Sequence, residues 1–393
     1  MRKIALTHRY ALVLLLTAAC QCIAQTPQKG QPPTGDEKAQ QKIFSRSEVT
    51  DIIATTRKIV SPNGVEELLP VQINGTTQWL SVRGSDRRNP ILLYLHGGPG
   101  SPTMPEDYTF QTPWEDYFTV VQWDQRGAGK TYASNDPKAL ASTMTIEQMT
   151  SDAEEVVRYV QKRYDKRKIF LLGHSWGTVL GVALAQRHPE WFYAYLGVGQ
   201  MVNMQKNEVD GYQFALEEAK SHHNSEAERE LVALAPYPGN LTFDRIGTQR
   251  KWLMYYGGLT YGRTDFSYDG DARLLSPDYT QRDLDLVDEG SLYSVTHLLG
   301  PLEAVDYDSV TDFKCPIFLF EGKHDYAVSH ALSAEWFSHV KAPSKKLVWF
   351  DNSAHMVMQE EPGRFLYHLI TDLYPLAVQA GDIAPAPDHT GGT

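Results

Sequence analysis

Residues 168–186 read KIFLLGHSWGTVLGVALAQ, and their reading decides the fold. An apolar run, Ile169 to Leu172, predicts a buried strand, and an apolar helix is predicted to begin near Thr178. Between them stands Gly173-His174-Ser175-Trp176-Gly177, a G-x-S-x-G turn from strand to helix. In that setting the turn is a nucleophile elbow with Ser175 at its tip. A serine held at positive φ crowds its neighbours, so residues without a β-carbon are needed on both sides. The turn lifts Oγ above the sheet, and the first amides of the helix favour negative charge developing there. The pentapeptide alone also fits a tight turn with an inert serine; the strand before it and the helix after it favour the chemical reading.

Outward from the elbow, the order of elements is that of an α/β fold with a mostly parallel central sheet flanked by helices. Leu69–Ile73 and Thr77–Val82 flank Asn74-Gly75, a hairpin with a type I′ signal. Strands are expected at Ile91–Leu95, Phe118–Trp123, Ala194–Val198, Ile317–Glu321 and Lys346–Phe350. Helices are expected at Thr145–Tyr164, Ala331–Val340 and from about Glu361 to Leu373. The interval 200–312 breaks this rhythm, because a crossover needs far fewer than about 110 residues. It has helical patterns of its own, Val209–His222 and Ser225–Ala235, and reads as an inserted, mainly helical cap. Of its aromatics Tyr212, Phe214, Tyr237, Trp252, Tyr255, Tyr256, Tyr261, Tyr268 and Tyr293, a few are expected to line the mouth of the site.

A serine nucleophile needs a base and an orienting carboxylate, which in elbow-bearing folds follow in the order Ser, acid, His. Asp325 comes directly after the apolar run IFLFEGKHD, and His355 after KLVWFDNSAH, each in a loop behind a late strand. Asp325 would fix the imidazole tautomer, and His355 would take and return the Ser175 proton. Asp351 is the rival acid; His297, His330 and His339 fall in cap or helical segments. Two amides must also aim at one point to form an oxyanion hole. The expected donors are the N–H of Trp176 and that of Gly98, in His96-Gly97-Gly98-Pro99-Gly100 after the strand Ile91–Leu95.

HGGPG at 96–100, DQRG at 124–127, GHSWG at 173–177, GKHD at 322–325 and SAH at 353–355 together resemble the proline iminopeptidases. These are serine hydrolases of the α/β-hydrolase fold, and the resemblance spans roughly residues 50–200 and 313–375. It implies Ser175, Asp325 and His355 as the triad, Gly98 and Trp176 as the oxyanion hole, no cofactor and no metal. Asp124 and Arg126 would be scaffold residues of a buried turn. Family members usually read GGSWG, where this chain has His174. They also hold the substrate's free amine with acidic cap residues; Glu208, Glu217 and Glu218 are the candidates here. The expected activity is release of N-terminal residues from short peptides by an acyl-enzyme route. Hydrolysis of small esters, lactones or amides is the alternative, and a non-catalytic binding protein the remote one.

The ends read differently. Arg2, Lys3 and Arg9 precede the apolar stretch Ala11–Ala19, so residues 1–24 are expected to be an export signal and not a membrane span. Cys22-Ile23-Ala24 before Gln25 fits cleavage to a soluble periplasmic or secreted protein; Leu16–Cys20 offers lipid anchoring through Cys20 as the alternative. Residues 25–42 read as a flexible leader and 377–393 as a flexible tail, bounding a core in two parts, 43–199 and 313–376. With Cys20 and Cys22 in the signal, the third of 3 cysteines, Cys315, has no partner for a disulfide in the mature chain. The 37 basic against 48 acidic residues, net −11, argue against nucleic acid and leave a small molecule or short peptide as the partner.

Overall fold

In the computed structural model, which describes residues 43–385, each late apolar run of the core is a strand. The strands are β1 (Val65–Ile73), β2 (Thr76–Gly84), β3 (Ile91–Leu95), β4 (Thr119–Asp124), β5 (Ile169–His174), β6 (Phe192–Val198), β7 (Ile317–Gly322) and β8 (Lys345–Phe350). They form one sheet in the order β1-β2-β4-β3-β5-β6-β7-β8. Only the β1–β2 and β2–β4 pairings are antiparallel. The β1–β2 turn has positive φ at Asn74 (44°) and Gly75 (79°), as the Asn-Gly pair predicts.

All five residues of β3 are buried, which is why its sequence is apolar without alternation. Leu93 and Leu95 belong to the core on one sheet face, with Val157, Val179 and Leu180 from the helices Ile146–Arg163 and Trp176–Arg187. Leu92 and Tyr94 belong to the other, with Phe170, Phe320 and the C-terminal Phe365, Leu369 and Leu373. Parallel pairing places the C-terminal ends of β3, β5, β6, β7 and β8 along one rim.

Between β6 and β7 the chain leaves the sheet for five helices, Met204–Ser221, Ser225–Val232, Phe243–Tyr255, Ser267–Leu274 and Gln281–Glu303. The way out and the way back are joined by backbone: Met204 N donates to Val305 O (3.0 Å) and Tyr307 N to Val202 O (2.7 Å). The cap has an apolar centre of its own, including Ala215, Leu231, Trp252 and Leu253. Its longest helix opens with a Thr280–Asp283 capping box.

Two differences from the sequence reading concern the ends. A helix, Arg46–Thr56, precedes β1, with Ser45 and Glu48 forming a capping box. Arg46 donates to the cap carbonyls of Leu274 (2.7 Å), Ser276 (3.1 Å) and Tyr279 (2.9 Å). At the other end, the expected tail from 377 is structured at its start. Helix Tyr374–Ala380 buries Ala377, and Asp382 binds Lys166 Nζ and Tyr193 Oη. Ala377, with Leu376 and Ile383 packed beside it, and a part-buried ion pair hold a segment that composition alone marks as loose. The export signal, the leader and Cys20 lie outside the described residues.

Candidate active site

Ser175 sits at φ 55°, ψ −122° between β5 and the helix Trp176–Arg187. Its carbonyl accepts from Thr178 N (2.9 Å) and Thr178 Oγ1 (2.6 Å), and its own N–H donates to Val198 O at 3.0 Å. Both elbow glycines are sterically required. A β-carbon on Gly177 would lie 2.0 Å from Leu95 O, and one on Gly173 would lie 2.7 Å from Gly177 O. The helix can therefore start hard against β3 only without side chains there.

The loop after β3 brings Gly97 and Gly98 to the cavity that Ser175 and Trp176 also line. Three buried polar side chains fix this loop to the elbow. Gln125 N donates to His96 Nε2 (3.2 Å), Gln125 Nε2 to His96 O (3.0 Å), and Trp176 Nε1 to Gln125 Oε1 (2.9 Å). Accepting at Nε2, His96 carries its proton on Nδ1 and donates to Gly97 O at 2.8 Å. Burial lowers its pKa to about 4, so it stays neutral. The sequence marks Gln125 only as one letter of DQRG. The rest of that motif is scaffold: Arg126 binds Asp152 through two bonds of 2.7 and 3.0 Å, and Asp124 accepts from Lys130 N (2.7 Å) and Tyr279 Oη.

Asp325 and His355 meet beside the cavity that Ser175 and His355 both line. His355 Nδ1 is 2.7 Å from Asp325 Oδ2, and the other carboxylate oxygen accepts from Val328 N at 2.8 Å. Asp325 is fully buried, and His355 reaches the cavity. Facing a carboxylate, Nδ1 is the donor, which leaves Nε2 free to accept a proton. Gly199, at φ 56° after β6, closes over the pair; a β-carbon would stand 2.9 Å from the His355 ring and 3.2 Å from Asp325 Oδ2. Nothing singled out Gly199 in the sequence; a glycine directly after the strand beside the elbow strand was the available signal. His174 braces the loop of the base. Its Nε2 donates to His355 O at 3.0 Å, and the two rings lie 4.7 Å apart. Burial, helped by His355, holds the His174 pKa down to about 3. The rival Asp351 is an exposed partner of Lys323 and Arg364. His330 and His297 bond backbone carbonyls, and His339 is exposed.

The cap residues depart most from expectation. Glu208 is buried, but its carboxylate is held by Arg250 and by Tyr237 Oη. Arg250, not Glu208, lines the cavity. Glu217 is exposed and Glu218 pairs with His222 at 3.4 Å on the outer face, away from the cavity. None of the nine cap aromatics singled out lines it either. Tyr212 stacks on Tyr237 and Trp252 on Tyr256 within the cap, whereas Phe243 and Phe266 reach the cavity. Methionines 201, 204, 254 and 356 supply much of the remaining wall.

The acids in the cavity are Glu106, Asp269 and Asp288. Asp288 binds Arg273 at 3.2 Å. Glu106 and Asp269 hydrogen-bond each other: burial raises both above the usual carboxylate range, Asp269 pushes Glu106 further up, and the bond from Glu106 pulls Asp269 back to about 6. The proton of their hydrogen bond belongs to Glu106, the more strongly raised of the two. The sequence reading missed both: Glu106 lies in the loop running on from HGGPG and Asp269 in a cap stretch with no motif. Among the described residues, no group of three or more His, Cys, Asp or Glu is arranged to hold a metal ion. Nor is any helix there long and apolar enough to cross a membrane.

Residues 90–362 match the family described as alpha/beta hydrolase fold. The chain is 32% identical to the probable aminopeptidase YbaC of Bacillus subtilis, over 75% of this chain and 92% of that one. It is 25% identical to a proline iminopeptidase of Saccharolobus solfataricus, over 72% and 84%. Among solved structures, the proline iminopeptidase of Mycobacterium smegmatis superposes with a TM-score of 0.58 at 18% identity, covering 80% of this chain and all of that one.

Proposed function

The chain belongs to the α/β-hydrolase fold family, and from that premise we propose that it is a serine aminopeptidase of proline iminopeptidase type, working through an acyl-enzyme. Ser175 Oγ attacks the carbonyl of the N-terminal residue as His355 Nε2 takes its proton, and Asp325 holds the imidazolium that forms. The oxyanion is received by the Trp176 and Gly98 amides. Collapse expels the new amine, which leaves with the proton from His355. Water, deprotonated by the same imidazole, then releases the acyl group and restores Ser175.

The observation that carries the choice of a free-amine substrate is the Glu106–Asp269 pair. Its direct partner is its own second carboxyl: Arg250 binds Glu208 and Arg273 binds Asp288, although the charge of Arg273 is felt by both members of the pair. Holding one proton between them, the two carboxyls carry a single negative charge, which an ammonium group neutralises. The methionine walls would accept apolar side chains of varied shape beside it.

Hydrolysis of prolyl-anilide by the mature chain tests this, beside an N-blocked prolyl-anilide, a p-nitrophenyl ester and Ser175→Ala. Turnover of the free-amine substrate alone is expected, with Ser175→Ala lowering kcat by roughly 10⁴-fold or more. Ester cleavage alone would move the substrate to esters or lactones, and activity surviving in Ser175→Ala would sink the mechanism.

We also infer export, from the sequence of residues 1–24. A periplasmic or secreted chain beginning at Gln25 is expected on fractionation and mass analysis. A lipidated Cys20 would mean anchoring, and an intact cytoplasmic chain would refute export.

A further inference from the structure

Behind His355, one cap segment touches both loops that carry the acid and the base. Residues 257–261 follow the cap helix Phe243–Tyr255. Gly258 O accepts from Tyr326 N (2.9 Å) and Ala327 N (3.1 Å), the two residues after Asp325. Leu259 O accepts from His355 N itself at 3.1 Å. Two residues on, Tyr261 N donates to Glu360 Oε1 at 2.5 Å, while Glu360 Oε2 accepts from Ala354 N at 2.7 Å. Glu360 ends the single-turn helix Val357–Glu360 that follows His355. The neighbouring Glu361 braces the same loop through Asn352 N (3.0 Å) and Ser353 Oγ (2.9 Å), but its bonds stay within the core. Glu360 is the carboxylate of the two that reaches the cap.

We propose that Glu360 is a positioning residue that clamps cap residues 257–261 to the loop of the catalytic base, so that the seating of the cap sets where His355 stands. The proposal rests on the assignment of His355 as the base. It makes the cap part of the catalytic scaffold as well as a wall of the cavity, since Leu259 and His355 both line that cavity.

A carboxylate suits this place because two N–H groups point at it and each needs an acceptor. The groups facing Glu360 are Asp325 and His355 from the core and Tyr268 from the cap. Burial, with the charge of Asp325, brings its pKa up to about 7, against the opposing pull of the two amides and His355. On protonation one oxygen becomes a hydroxyl and ceases to be a good acceptor. The clamp is then firm above neutrality and loosens as pH falls.

The test uses the full mature chain with Glu360→Gln and Glu360→Ala. Both substitutions should lower kcat roughly tenfold or more while KM for the anilide or ester moves less than about threefold, as expected when a base is misplaced and binding is not. Amide hydrogen exchange in peptides covering 257–264 and 351–356 should become faster in both. The ionisation of Glu360 should disappear from the acid limb of kcat/KM in Glu360→Gln. Glu360→Gln is isosteric and carries the test if Glu360→Ala fails to fold. Wild-type kcat, or unchanged exchange in those peptides, would overturn the clamp. If the wild type shows no Ser175-dependent turnover, the reading of the site falls, and the exchange measurement alone decides whether Glu360 holds the cap.

Discussion

A carboxyl pair in a largely apolar cavity is costly unless something compensates it, and this makes Glu106 and Asp269 the most informative residues of the site. Burial raises both, and Asp269 raises Glu106 further. An ammonium binds the singly charged pair, and a second proton, on Asp269, cancels that charge, so affinity for a free-amine substrate should weaken as pH falls through about 6. For an ester without the amine that term is absent. We therefore expect KM for prolyl-anilide to climb on acidification more steeply than KM for a p-nitrophenyl ester. Glu106→Gln and Asp269→Asn should each raise the anilide KM roughly tenfold or more and leave the ester KM within about twofold, the loss expected for a charge-assisted contact. Equal effects on both substrates would remove these residues from amine recognition. At the same scale, Gln125 shows how a residue without chemistry of its own can matter: one amide side chain ties His96 and Trp176 together.

Among the elements, the cap helices Met204–Ser221 and Phe243–Tyr255 are joined by a buried ion pair, Glu208 with Arg250. Such a pair contributes little net stability against apolar replacements, yet breaking it strands a buried charge. Arg250→Ala should cost about 3–5 kcal/mol in chemical denaturation, and an Arg250→Met, Glu208→Leu double substitution should recover most of it. A loss well under 1 kcal/mol in Arg250→Ala would show that Glu208 finds water or another partner. The helix Gln281–Glu303 meets the core through small residues. Ser291 Oγ donates to Gly100 O (2.6 Å) and Ser294 Oγ to Gly127 O (2.9 Å), so the loop carrying Gly98 is held from the cap side too.

Across the whole molecule, proton linkage favours mild acid. Burial raises Asp107, Asp124 and Glu360 to about 7 and Glu321 further. Between pH 5 and 7 the native chain keeps protons on these groups that the unfolded chain has lost. Stability from this source is full below the unfolded carboxylate pKa and declines as pH rises through about 7. His96 and His174 act the other way: their pKa values of about 4 and 3 let the unfolded chain bind protons first as pH drops below the imidazole range. With Glu106 and Asp269 raised as well, the carboxyls outweigh the two imidazoles, so Tm should be higher at pH 5.5 than at pH 8. The reverse order in thermal melts would refute that balance.

The sequence by itself determined the sheet, the elbow and the places of Ser175, Asp325 and His355. Short unbroken apolar runs such as Ile91–Leu95, bounded by turn residues, read as strands covered on both faces, and a serine between two obligatory glycines at a strand end is a local matter of sterics. Parallel pairing then carries each post-strand loop to the same rim. What only the tertiary structure decided is which side chains face the cavity. Glu208 looked like a substrate anchor and is neutralised by Arg250, 42 residues away. Glu106 and Asp269, carried by a core loop and a cap helix, looked like nothing. Helical periodicity tells which face of a cap helix is apolar, but the direction in which that face points depends on how five helices pack over the sheet. That packing is made by contacts distant in sequence, such as Ser291 on Gly100, Arg46 on Tyr279 and Glu360 on Tyr261.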